Sequence, residues 1–468
     1  MARSREEGFV KRYLLTLGVG LLVLCGCLVR WQRLGGASSG GKFNLAEPRQ
    51  TSPSAHPGAL IPEINPPQQT STSQYTLSYD RYLKAVAYSR AGYTLYFVSF
   101  FLVALCLFLI LQCGIAAKLR EAAEKFSDKK WVQGIVFVPL LFLLVDLADL
   151  PVSIYWHSLS LRYEQSVQQW GSWSLDWMKG EILQIGFGIL LVMILFAVMR
   201  WSPRRWWIYF WIPAVIVLLG IVLISPLVID PWFNTFEPLS KDHQSLVSSI
   251  EKLTRRGGDP VPPDRMFLML ASKKTNAINA YVTGLGSSKR VVIWDTTIQK
   301  ISEEETLYIV GHELGHYVLG HVKTGLLIGS VGIFLALFLL HRLLHLCLDR
   351  WSGQWRISSQ EDWASVAILL LLLHGLLFVA DPIVNGFSRA QEHAADVYGL
   401  EVIHGLIPNS NEVAAHAFQR LGELDLSDPN PPAIVTFWLY SHPPLAERLV
   451  FVHNYDPWSK GEQPKYVK

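Results

Sequence analysis

Long apolar runs set the pattern of this sequence, in place of the short periodic stripes of a soluble chain. Seven runs, at roughly 13–30, 94–116, 132–155, 182–199, 206–229, 324–344 and 364–384, have the ~18 residues needed to cross a bilayer as helices. The polar stretches between them differ in kind. Residues 34–74 are rich in Gly, Ser, Pro, Thr and Gln, the composition of an extended linker. Tyr79–Tyr93 mixes Arg81, Lys84 and Arg90 with apolar residues and predicts a lead-in helix at the membrane surface. After the fifth run the pattern becomes that of folded soluble structure. A proline-punctuated exit covers Pro226–Leu239, a helix about 240–256, and strands Met266–Leu270, Ala277–Val282 and Arg290–Asp295. Gly284–Ser288 joins the last two strands as a hairpin, and a helix from about Glu303 to His321 leads almost directly into the sixth span.

Composition agrees with a mainly α, polytopic membrane protein, since half of the residues are hydrophobic. A formal charge of +3 is too small to suggest a nucleic-acid partner, and the basic residues cluster beside the spans. Lys118, Arg120, Lys125, Lys129 and Lys130, then Arg200, Arg204 and Arg205, then Arg342, Arg350 and Arg356 fall on one side with the N-terminal Arg3, Arg5, Lys11 and Arg12. The positive-inside rule makes that side cytoplasmic, which places the 230–323 loop and the C-terminal tail outside the cytoplasm. The first run is a signal anchor or a signal peptide cut near Gly36–Ser38. The five cysteines lie in or at the ends of spans and outline no disulfide framework. Asp146, Asp149, His374 and Asp381 fall within spans, where pairing between helices and lining of a wet cavity both fit them. His341 and His345 have no accompanying carboxylate and read as interfacial.

The chemistry centres on Gly311-His312-Glu313-Leu314-Gly315-His316. Two histidines four apart share one helix face, so both imidazoles can reach one ion while Glu313 lies beside it. Zinc suits this set: it takes imidazole nitrogen, needs a third protein ligand, and keeps a fourth position for water. A glutamate in that place can take a proton from water attacking a peptide carbonyl. Alone, the motif also fits an amphipathic helix with a polar face. After the seventh run, helical spacing puts Glu392 and Asp396 on one face, which makes Glu392 the third ligand and Asp396 the carboxylate orienting an imidazole, that of His312. His393 points about 100° away from Glu392, and His321, nine residues past His312, falls on roughly the opposite helix face and fails the metzincin spacing His-Glu-x-x-His-x-x-Gly-x-x-His, so neither is taken as a ligand.

These residues resemble the membrane-embedded type I CAAX prenyl endopeptidase family, seven-span zinc metallopeptidases whose soluble domain is akin to HtpX-type proteases. The resemblance rests on the metal motif, on Ser388-Arg389 with Glu392 and Asp396, and on Asn279-Ala280-Tyr281 with Lys289-Arg290-Val291-Val292. Ser441-His442-Pro443-Pro444-Leu445 with Glu447-Arg448-Leu449 completes it. It implies seven helices around a water-filled chamber, capped by a gluzincin-type domain with a small β-sheet. It implies one zinc per chain on His312, His316 and Glu392, with Glu313 as general base. His442 would stabilise the oxyanion, Arg448 would lie near the substrate backbone, and Asn279 would hold the peptide as an added strand. The chain then divides into an anchor at 1–33, a linker at 34–74, spans two to five at 75–229, the first catalytic part at 230–323, spans six and seven at 324–384, and the second catalytic part at 385–468. Eukaryotic members present the site to the cytosol, opposite to the side the basic loops indicate here, so the side stays open. The 34–74 insert has no family counterpart.

The expected activity is zinc-dependent cleavage of peptide bonds, either CAAX-like or in membrane-protein quality control. The partners are peptide or membrane-protein substrates and the lipid bilayer, expected to be a bacterial inner membrane; the oligomeric state is open. A catalytically idle membrane chaperone or scaffold is the reading from another class.

Overall fold

The computed structural model describes residues 75–284 and 286–467. The first apolar run, whether anchor or cleaved signal, and the 34–74 linker lie outside the described residues. The first half comprises α1 (Tyr79–Gln112), α2 (Ile115–Phe126), α3 (Lys130–Arg162), α4 (Trp170–Trp201) and α5 (Trp206–Ile224). In the second half come α6 (Gln244–Arg256), α7 (Asp295–Lys300), α8 (Glu303–Val318), α9 (His321–Trp355) and α10 (Ser365–Ile403). The chain closes with α11 (Ser410–Leu424), α12 (Ala433–Leu439) and α13 (Leu445–Asn454).

Six helices among the described residues are long and apolar enough to cross a membrane: α1, α3, α4, α5, α9 and α10. They correspond to six of the seven expected spans. The expected surface helix at Tyr79–Tyr93 has no break of its own and forms the first half of α1. Pro226 and Pro231 do not end α5 either. Its span continues to Phe233 through a π-helical turn and a last α-turn, with each proline in the first turn of its segment, where an N–H is least needed.

Phe137, Leu141, Phe196, Trp206, Phe210 and Trp363 are buried between the spans, while Leu105, Ile216 and Leu335 face outward, as lipid-facing residues would. The polar groups in the spans meet across helices. Ser99 Oγ donates to Asp149 at 2.8 Å, Gln184 Nε2 to Asp146 at 2.5 Å, and the Tyr96 hydroxyl to Asp381. His374 Nε2 lies 3.0 Å from the Phe100 carbonyl oxygen. At one end of the bundle the basic loops gather: Arg120 pairs with Asp362 at 2.6 Å, and Gln360 bridges the Pro203 carbonyl and Trp206. The soluble structure occupies the other end.

That structure has a four-stranded sheet of β1 (Phe236–Pro238), β2 (Met266–Met269), β3 (Ala280–Thr283) and β4 (Arg290–Trp294), in the order β1-β2-β4-β3. β3 and β4 form the anticipated antiparallel hairpin, with Val282 opposite Val291. β2 runs parallel to β4, and the unforeseen β1 pairs antiparallel with β2. Leu246, Ile250, Ile278, Val291, Val310, Leu314, Tyr398 and Val402 form one core from α6, the sheet, α8 and the last third of α10. Burying such side chains is worth roughly 1.5–3 kcal/mol each relative to exposure. This core presses α8 against α10 and so decides where their polar residues meet.

Candidate metal centre

α8 begins with a capping box. Ser302 Oγ accepts from the Glu305 amide, and Glu305 Oε2 accepts from the Ser302 amide at 2.7 Å. Glu303, Glu304 and Glu305 in the first turn complement the helix dipole. Glu305–His316 of α8 are all buried, and glycines let the helix approach α10 closely. A Cβ on Gly311 would come 2.8 Å from Val402 Cγ1, and one on Gly315 would come 2.9 Å from Tyr398 Cδ1. On the partner helix, a Cβ on Gly399 would meet the His312 backbone. Small residues on both helices therefore bring the His312–His316 segment and the Glu392 segment within reach of each other.

His312, His316 and Glu392 come together in this contact, all buried, each offering one donor atom within 4.8 Å of the others. The two Nε2 atoms are 3.3 Å apart. Glu392 Oε2 lies 3.3 Å from His312 Nε2 and 3.9 Å from His316 Nε2. A tetrahedral ion with bonds of 2.0–2.1 Å requires ligand–ligand edges of about 3.3 Å, so the donor set fits a small divalent metal. Glu313 Oε1 is 3.9 Å from His312 Nε2.

The surrounding groups hold this arrangement. Asp396 Oδ1 is 2.8 Å from His312 Nδ1. Arg448 donates to the same carboxylate from Nε at 2.9 Å and Nη2 at 2.5 Å. Burial works against the charge of Arg448, but Asp396 outweighs it and keeps the guanidinium pKa above the ordinary arginine value. His442 Nε2 reaches Glu392 Oε2 at 3.1 Å, while its Nδ1 is 3.0 Å from Ser441 Oγ. The segment leading to His442 is tied to α10. Asn385 Nδ2 donates to the Trp438 carbonyl at 2.6 Å, and Arg389 Nη1 to the Thr436 and Tyr440 carbonyls at 3.1 and 2.6 Å.

Asn279 stands just before β3, which has β4 as its strand partner and lies at the sheet edge. Its backbone is held by Thr297 and Trp294, and its side-chain Oδ1 is buried with no hydrogen-bond partner among the described residues. His393 faces Phe451 rather than the centre. His321 is the residue that helical phase misplaced. Gly320 takes φ +72°, ends α8, and turns His321 back so that its Nδ1 lies 2.8 Å from His316 Nδ1. The sign of this in the sequence was the glycine directly before the histidine.

A buried His-His-Glu donor set with a glutamate alongside, at the end of a polytopic helical bundle, defines a metallopeptidase embedded in a membrane. The known proteins agree. Residues 240–456 match peptidase family M48, and residues 64–235 match the CAAX prenyl protease N-terminal family, five membrane helices. YhfN of Bacillus subtilis (strain 168), an uncharacterized metalloprotease, is 33% identical over 369 residues, 78% of this chain and 84% of its own. CAAX prenyl protease 1 of Saccharomyces cerevisiae is 27% identical over 332 residues, 68% of this chain and 71% of its own. The crystal structure of S. mikatae Ste24p superposes with a TM-score of 0.68 at 26% identity, covering 80% of this chain and 89% of that one. The chain belongs to peptidase family M48. It is an integral, multi-pass membrane metalloendopeptidase, and the idle-scaffold reading is not favoured.

Proposed function

We propose that the protein is a zinc endopeptidase, with one zinc per chain on His312, His316 and Glu392, that cuts peptides and proteins delivered from the membrane. The observation that carries this is the buried donor set at tetrahedral spacing with Glu313 beside it. Zinc at these ligands would supply the Lewis acid that polarises the scissile carbonyl and acidifies water. Glu313 takes the proton of the attacking water and returns it to the leaving amine. His442, aimed at the centre and backed by Ser441, offsets the negative charge that develops on the carbonyl oxygen. The substrate backbone lies along the β3 edge as an added strand, and Asn279 Oδ1, which has no hydrogen-bond partner among the described residues, supports a role for that side chain in holding it. Arg448 is proposed to lie near the same backbone, and its two bonds to Asp396 support a fixed guanidinium on the wall of the site. Asp396 orients His312.

The names of the relatives and the position of the centre on α10 just past its membrane-spanning part support lipid-anchored substrates of the CAAX type. The bacterial relative supports a bacterial inner membrane as the site of action. The meeting of the basic loops at the opposite end of the bundle supports a centre outside the cytoplasm. The test is made on the purified full chain in detergent. Zinc per chain is measured, together with cleavage of a prenylated and a plain peptide, for the parent and Glu313→Gln. About one zinc in both proteins, with cleavage by the parent alone, is expected. Equal cleavage of the two peptides would remove the lipid preference, and an absence of zinc would sink the ligand assignment.

A further inference from the structure

His321 opens α9 at the point where the chain leaves the left-handed turn at Gly320. Glycine reaches that conformation at little cost. In an unbroken helix residue 321 would lie about 140° around the axis from His316. The turn removes that offset and brings the two Nδ1 atoms to 2.8 Å, with the rings 4.9 Å apart and tilted by 62°. His321 is half-buried here, at the seam between the metal helix and the first turn of a membrane span.

The chemistry of the pair is set by His316. Its Nε2 faces the centre, 3.3 Å from His312 Nε2. An imidazole that offers its Nε2 lone pair to a cation carries its proton on Nδ1 and donates from there. Of two nitrogens at 2.8 Å one donates and the other accepts, so the acceptor is His321 Nδ1. Ligating imidazoles are generally oriented by such a partner, most often a carboxylate, a backbone carbonyl or water. His312 has the carboxylate of Asp396 in that position. His316 has an imidazole instead.

We propose that His321 is a positioning residue of the metal centre, accepting a hydrogen bond from His316 Nδ1 and thereby fixing the tautomer and orientation of that ligand. This rests on the reading of His316 as a ligand, and it makes the turn at Gly320 part of the site: the glycine places the acceptor. The span α9 is thereby connected to the metal through one hydrogen bond at its first residue.

The full chain is loaded with zinc alone, and zinc release to a chromophoric chelator is followed for the parent, His321→Ala, His321→Leu and His321→Gln, with His316→Ala as the reference for a lost ligand. Glutamine can accept from His316 through Oε1; leucine fills similar space without an acceptor. Alanine and leucine are expected to weaken zinc retention about 10–100-fold. Glutamine should restore it to within a few-fold of the parent, with the metal-free melting temperatures of the four proteins alike. Retention equal to the parent in the alanine or leucine variant, or glutamine as leaky as leucine, overturns the proposal. A parent that takes up no zinc, or a His316→Ala variant that holds it as tightly, overturns the ligand reading and this proposal with it.

Discussion

A Cβ placed on Gly399 would lie 2.9 Å from the backbone nitrogen of His312 and 3.1 Å from its Cα, so α8 and α10 meet here backbone to side-chain position with no room between them. A flexible side chain could swing away from such an intrusion; a peptide nitrogen inside a helix cannot. Gly399→Ala is therefore expected to push α10 off α8. Overpacking of this kind costs ~1–3 kcal/mol, against a gain of at most ~1 kcal/mol from the better helix propensity of alanine. Both the melting temperature and the zinc content should fall, and a variant that kept both would show that the helices separate freely.

Glu313, the proposed base, and the proposed ligands should come apart experimentally. Glu313→Gln keeps the shape of the side chain and removes the base, so turnover should fall by at least ~10²–10⁴-fold while metal content stays near the parent value. His316→Ala should lose metal and activity together, and excess zinc should not restore it. Metal analysis beside peptide cleavage distinguishes the two variants.

Asp396 and Arg448 form a buried pair, so removing either charge strands the other. Asp396→Asn leaves the guanidinium without its carboxylate and His312 without its strongest acceptor. A cost of roughly 3–5 kcal/mol in stability is expected, with metal affinity about 10–100-fold lower. Arg448→Met should destabilise by a similar amount yet affect metal affinity less, because Asp396 still faces His312. Denaturation curves with and without zinc read both effects; equal loss of affinity in the two variants would contradict this division of labour.

Ser302→Ala tests the start of the metal helix. Loss of the cap should cost ~1 kcal/mol of stability. Turnover per zinc-loaded molecule should not change, since the cap stands more than two turns from His312. A drop in turnover at full zinc loading would indicate that the cap also sets the position of the centre.

The long elements were legible because their signals are repeated over many residues. Apolar runs marked six of the helices seen here, and alternating strands with a glycine-rich turn marked the β3–β4 hairpin. The i, i+4 spacing of His312 with His316, and of Glu392 with Asp396, placed the four side chains on faces that the fold brings together. What stayed hidden depends on single residues or on distant ones. Phe236–Pro238 is three residues long and gains strand geometry only from β2. The pairing of Arg448 with Asp396 joins positions 52 apart on two helices, which no local pattern encodes. A helix continued through Gly320 places His321 on the far face, whereas the left-handed residue at Gly320 breaks that phase.

Helix α10 runs without interruption from Ser365, among the spans, to Ile403, beyond Glu392. Tyr96 holds it at Asp381 and His312 meets it at Asp396, so the stretch between is clamped at both ends. Inserting or deleting one residue there would move Glu392 by about 1.5 Å along the axis and swing it about 100° around it, away from both imidazoles. Many substitutions on the lipid-facing side of this stretch leave the geometry intact, whereas any change in its length breaks it. The count of residues between the spanning part of the helix and the Glu392 carboxylate acts as a fixed gauge, and under the proposed ligation it would set how far from the membrane a bond is cut.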